Sequence, residues 1–242
     1  MLDGIKRWFS GASSTDKAWD ALAPWAETHQ YMFRGVRESE GFVLDGRVGA
    51  VPWRLEWGPS QRSYVTGSEL RLRAELALQS DLQVVVLNRS LQEQMEKAVF
   101  EQYVEGVQTR IDNQTPPEMR WLVMFPKLGG SEMGKLRERF VALSSIKPWL
   151  VQWLEGPLAS ALATLRQPAD SPVVLMIGRG RLTLRAALDA PEPQQLEIWI
   201  RLFETAMREA RRVADQHHDK SAPSTQPSMW SASALPPDED RG

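Results

Sequence analysis

The residues with most chemistry to offer are arginines and carboxylates set in strict alternation. Arg54 and Glu56 lie two apart, and Glu69, Arg71, Arg73 and Glu75 follow at the same interval. A period of two puts such residues on one face of a β-strand. On neighbouring antiparallel strands they would form a cross-strand charge ladder, each pair contributing roughly 0.2–1 kcal/mol. The functional counterpart is a charged sheet surface that receives a partner, with Arg62 and Tyr64 on the adjoining loop. The candidate partner-binding face is therefore Arg54, Glu56, Arg62, Tyr64, Arg71 and Arg73. Glu38, Glu40, Glu56, Glu69 and Glu75 could in principle pair for acid–base work. Their spacing alongside arginines favours a salt-bridged face instead.

Three short motifs imitate catalytic or nucleotide sites. Gly129 to Leu136 (GGSEMGKL) fits the G-x-x-x-x-G-K phosphate loop, after an apolar run and before a helical pattern. Leu136 stands where the magnesium-binding Ser or Thr belongs, and Glu132 sets a negative charge among amides meant for phosphate. Gly178-Arg-Gly180-Arg-Leu-Thr183 has the first two glycines of a dinucleotide fingerprint, yet Thr183 and the strand-like residues beyond it point to a tight hairpin turn. Ser144-Ser-Ile-Lys147 matches S-x-x-K without the accompanying S-D-N and K-T-G elements. The chain has no cysteine, and its three histidines are His29, His217 and His218. Thiol chemistry is excluded, and a Ser-His-Asp triad or a His-rich metal site has little to draw on. No catalytic residue, cofactor or metal is assigned.

The elements that must carry the charged face read as hairpins and long helices, an α+β fold. Helix is expected over Lys17–Thr28, on the apolar face of Trp19, Leu22, Trp25 and Ala26. Phe42–Leu44 and Val48–Ala50 flank Asp45-Gly46, a favoured hairpin turn pair. Strands follow at Val51–Trp57, Leu70–Leu76 and Leu82–Leu87. Ser90 and Glu93 then give a capping-box signature for a helix with Leu91, Met95, Val99, Tyr103, Val107 and Ile111 on one face. Beyond Thr115-Pro116-Pro117, Trp121–Phe125 has strand length, and helices are expected over 131–145 and 148–166, the second interrupted at Gly156-Pro157. A second hairpin, Pro172–Ile177 and Leu182–Leu188, precedes a last helix over about 192–215. A hairpin followed by a long helix thus recurs, which suggests two similar ββα-containing halves.

This divides the chain into 1–16, an N-terminal amphipathic segment and linker; 17–115 and 116–216, two α+β halves; and 217–242, a polar tail expected to be disordered. Net charge is −2, with Lys+Arg 29 against Asp+Glu 31, which argues against nucleic acid as partner. No run reaches the ~18 apolar residues of a membrane span, and MLDGIKRWFS lacks a signal-peptide core, so a cytoplasmic setting is expected. Ten tryptophans are the compositional oddity, most of them expected to fill the core. Pro52 to Leu76 (PWRLEWGPSQRSYVTGSELRLRAEL) resembles a set of conserved hypothetical bacterial proteins of unassigned activity, over about residues 31–210. That resemblance implies a bacterial setting and no particular chemistry.

The expectation is a non-enzymatic protein-interaction module, its partner another protein or a second copy. The first alternative is an enzyme or small-ligand protein with a carboxylate/arginine cleft between the halves, which requires a pocket of ~300 Å³ or more. The second is a peripheral membrane adaptor acting through residues 1–10.

Overall fold

In the computed structural model, residues 21–36, 41–104 and 115–221 are described, with side chains except at 101–104 and 218–221. Helix α1 (Leu22–Thr28) leads into β1 (Met32–Val36), β2 (Gly41–Val48), β3 (Val51–Pro59), β4 (Ser68–Glu75) and β5 (Val84–Asn88). Then come α2 (Arg89–Val104), α3 (Pro117–Met124), α4 (Gly130–Met133) and a 3-10 turn at Gly134–Leu136. Strand β6 (Phe140–Ser144), α5 (Lys147–Trp153), α6 (Pro157–Thr164), β7 (Val173–Gly178), β8 (Arg181–Ala187) and α7 (Pro193–Ser221) complete the order. The α+β class and the antiparallel hairpins packed on amphipathic helices are as expected.

One 8-stranded sheet runs through the described residues in the order β1-β2-β3-β4-β8-β7-β5-β6, every pairing antiparallel. It crosses the boundary drawn at residue 116. Strand β4 pairs with β8, and β5 lies between β6 and β7. Because β5 turns away from β4, the first half holds no hairpin-plus-helix unit of the kind the second half makes from β7, β8 and α7.

Period two decides which residues fill the front of the sheet. Phe42, Leu44, Trp53, Leu55, Leu70, Leu72, Leu182 and Leu184 are buried there. Over them lies α7, whose Leu196, Trp199, Phe203, Ala206, Ala210 and Val213 recur at helical spacing and are all buried. Helices α5 and α6 pack against α7, and the Trp153 indole donates to the Ala206 carbonyl at 3.0 Å. Helix α7 continues through Ser221, so residues 217–221 are helical where a disordered tail was expected. The N-terminal segment, the rest of the tail and the far end of the expected second helix lie outside the described residues.

Several local expectations are corrected. Asp45-Gly46 is not a turn: β2 runs through it, and the hairpin closes at Gly49-Ala50 with Gly49 at φ +59. Gly46 lies beneath the Trp53 indole, where a Cβ would come within 2.2 Å of the ring. Trp121–Phe125 is not a strand. Pro117 opens α3, its fixed φ suiting the first helical position, and Trp121 and Leu122 are buried while Val123 and Met124 are exposed. The helix expected over 131–145 stops at Leu136, and Phe140–Ser144 is a strand buried at every position. A strand covered on both faces loses its alternation, so its apolar spacing imitates a helix. Ser90 does not cap α2, since its hydroxyl donates to the Ala169 carbonyl. At Gly156-Pro157 the helix is broken as expected, into α5 and α6.

Candidate functional site

The back of the sheet is divided. Over β5, β6 and β7 it is apolar, with Val85, Leu87, Leu143 and Val174 buried under Leu91 and Met95 of α2 and Trp121 and Leu122 of α3. Over β1–β4 and β8 it is charged and open to solvent. Among the sequence-predicted residues, Arg54, Glu56, Arg71 and Arg73 meet on this surface. The register sets Glu56 opposite Arg71, but also Arg54 opposite Arg73 and Arg71 opposite Arg185. Like charges directly opposite repel, and the carboxylates offset this: Asp45 and Glu56 each take the arginine directly opposite, Arg54 and Arg71, and a second one diagonally, Arg34 and Arg73.

Asp45 holds Arg34 and Arg54, both at 2.7 Å. Glu56 holds Arg73 at 2.6 Å and Arg71 at 3.5 Å. Glu69, fully buried, holds Arg71 at 3.2 Å and Arg185, and also accepts the Gln61 amide at 2.8 Å. At the rim, Arg181 pairs with Glu75 at 2.5 Å. Burial works against the Asp45 carboxylate, but hydrogen bonds and charge from Arg54 and Arg34 outweigh it and hold its pKa below the usual value. Exposure separates two kinds of arginine here. The side chains of Arg34, Arg54 and Arg73 are 56%, 41% and 47% exposed, while Arg71 and Arg185 keep 14% and 12%.

Arg62 and Tyr64 are not on the open surface. Both turn inward to Glu118, in the first turn of α3 and fully buried. Its Oε1 accepts from Arg62 Nε and from the Tyr64 hydroxyl, each at 2.6 Å. Burial first, then the neighbouring Glu118 charge and hydrogen bond, push the Tyr64 phenol well above the ordinary tyrosine range. Tyr64 is thus a fixed donor rather than a base. The loop between β3 and β4 is tied to α3, and α3 to the edge of the charged face.

Arg185, Arg181, Asp45 and Arg34 escaped the sequence-level candidate set. The first two were legible, since Leu182, Leu184 and Ala186 face the core and the alternate positions must face away. Glu118 carried no signal, because its partners lie 56 and 54 residues upstream.

The imitation motifs have ordinary local roles. Glu132 accepts the Gly129 amide at 2.7 Å and pairs with Lys147 at 2.9 Å, filling with its own carboxylate the loop that would cradle a phosphate. The Gly129 amide and Lys147 hold the Glu132 pKa low. Ser144 Oγ accepts the Ile146 amide at 2.9 Å, so its hydroxyl is engaged within its own turn. Arg179-Gly180 is the β7–β8 turn, with φ of 55° and 76°. No cluster of His, Cys, Asp or Glu able to hold a metal occurs among the described residues. No described helix is long and apolar enough to cross a membrane.

An open cavity of about 440 Å³ lies beside this face, between α3 and the β7–β8 turn. Its lining comes from both sides of residue 116, with Gln83 on one side and Arg120, Trp121, Met176 and Arg179 on the other. A smaller cavity of about 240 Å³ at Asn88, Ser90 and Ala169 is crossed by hydrogen bonds from Asn88 and Ser90 to the Ala169 carbonyl.

Fold and surface define an antiparallel α+β protein with one open, arginine-rich sheet face. No family model matches the chain, and no curated protein does. Among solved structures it is similar to the crystal structure of the mycobacterial trehalose monomycolate transport factor A, TtfA. Identity is 10%, the match covers 80% of this chain and 94% of that one, and the TM-score is 0.47. A likeness at that level settles neither fold nor function.

Proposed function

We propose that this chain is a non-enzymatic protein-interaction module that receives an acid-rich segment of a partner protein on the back of β1–β4 and β8. The observation that carries this is the charge ratio: Arg34, Arg54, Arg71, Arg73 and Arg185 share only Asp45, Glu56 and Glu69. The surplus guanidinium charge stands outermost, on a chain whose net charge is −2. A carboxylate brought to this face would meet arginines already ordered by their first partner, which lowers the entropy lost on binding. The carboxylates here are each held by arginine, and Tyr64 is held protonated, an arrangement suited to docking rather than to proton transfer.

The test is charge reversal at the exposed arginines alone. Arg71 must be spared, because a glutamate in its place would set a third carboxylate beside buried Glu69 and Glu56 and cost the fold. R34E/R73E, which leaves Arg54 on Asp45 and Arg71 on Glu56, should keep the melting temperature within a few degrees and lose acid-rich partners recovered by quantitative affinity purification. An unchanged partner list from the folded variant contradicts the proposal.

A further inference from the structure

We infer that the cavity between α3 and the β7–β8 turn is a binding site for a small organic anion with an apolar body, of the medium-chain carboxylate class. Its volume, about 440 Å³, falls within the ~300–1,000 Å³ of small-ligand sites. About half of its wall is apolar: Trp121 is buried, and Met124 and Met176 stand beside it, while Gln83 and two arginines make the polar part. The indole reaches that position because residue 178 is glycine; a Cβ there would lie 2.6 Å from the Trp121 ring.

Two guanidiniums line this wall, Arg120 and Arg179, and neither has a hydrogen bond or ion pair among the described residues. Arg120 Nε is buried with no hydrogen-bond partner. On the neighbouring sheet face Arg34, Arg54, Arg71, Arg73, Arg181 and Arg185 are each engaged by a carboxylate, although Arg71 and Arg185 also keep a buried Nε without a hydrogen-bond partner. Buried polar groups are ordinarily satisfied, so an orphan donor facing a cavity asks for an acceptor from outside. Arg179 adds a second, independent sign. It occupies the first central position of a turn with positive φ at both central residues, 55° and 76°, where Asn, Asp or Gly is the usual choice. An arginine held in that conformation points to a role for its side chain.

The chemistry follows from the pairing. A guanidinium presents N–H donors as a fork that matches a carboxylate, and Trp121 with the methionines offers adaptable apolar contact to an alkyl chain. A bare inorganic anion would satisfy the arginines and leave the apolar wall unused. This site stands apart from the docking proposal, because neither Arg120 nor Arg179 belongs to the shared-carboxylate cluster.

Isothermal titration of the full chain with decanoate tests it, with decanol and inorganic phosphate as the two half-ligands. Decanoate should bind saturably, and R120Q/R179Q should weaken it at least ~10-fold, the change expected for losing about 1.4 kcal/mol. R47Q/R166Q, which removes two other exposed and unpaired arginines, should leave it unchanged. Decanol should bind more weakly than decanoate and equally to the wild type and R120Q/R179Q, while phosphate should bind more weakly than decanoate. Should the double variant fail to fold, R179Q alone, at an exposed turn position, should still weaken decanoate several-fold. The inference is overturned if decanoate does not bind up to ~10 mM, if the arginine variants bind it like the wild type, or if R47Q/R166Q weakens it equally. It is also overturned if decanol or phosphate alone matches decanoate.

Discussion

Glu118 shows how much one buried side chain can decide. It is fully buried and accepts both the Arg62 guanidinium and the Tyr64 hydroxyl. Replacing Glu118 with Ala strands a partly buried arginine and a phenol, and is expected to cost about 3–5 kcal/mol in urea unfolding. Tyr64→Phe removes one hydrogen bond and should cost about 1–2 kcal/mol. The phenol also gives a pH signature. Its pKa in the folded protein is raised above the unfolded value of 10.0, so the fold favours the neutral form. That stability is fully present below pH 10 and drains away as pH rises above it, because the unfolded chain then ionises first. Melting temperatures from pH 8 to pH 11.5 should therefore fall more steeply for the wild type than for Tyr64→Phe. Parallel curves would show that Tyr64 titrates no differently in the fold.

At the scale of elements, two glycines fix where large aromatic rings lie. Gly46→Ala and Gly178→Ala each bring a Cβ against an indole, that of Trp53 or Trp121. Each is expected to lower stability by about 1–3 kcal/mol in denaturant unfolding, the cost of overpacking. Strands with one wet face were legible in the sequence, because alternation declared both their type and the side of each residue: Val51–Trp57 and Leu70–Leu76 are the cases. Phe140–Ser144 was not, since burial on both faces erases the alternation. Trp121–Phe125 also misled, because a short helix packed by two adjacent apolar residues has no visible period. Of the candidate site, Arg54, Glu56, Arg71 and Arg73 were legible by the same alternation. Arg62 and Tyr64 were legible as a charged loop but not as buried groups, because their partner Glu118 is remote in sequence and no spacing rule reaches it.

At the scale of the molecule, one sheet joins both halves, and its order explains why the boundary at Pro116 misleads. A proline pair marks a local stop, whereas strand pairing between β5 and β6 or β7 is a long-range choice. The fragment 17–115 keeps β5 without its partners, leaving exposed the edge of a buried strand that is apolar but for Asn88. It should be unfolded or aggregated by circular dichroism and light scattering, while residues 17–221 should unfold in one transition by fluorescence and circular dichroism alike. The same sheet gives the molecule two unlike sides, a front sealed by α7 and a back whose arginines outnumber the carboxylates between them. The claim that this back face docks a partner is tested most directly by a photoreactive residue at Thr183, on β8 opposite Arg73 of β4, with Ile198 on the exposed side of α7 as the comparison site. The account predicts crosslinks from position 183 to an acid-rich stretch of the partner and none from 198. Crosslinks from 198 and none from 183 would contradict it.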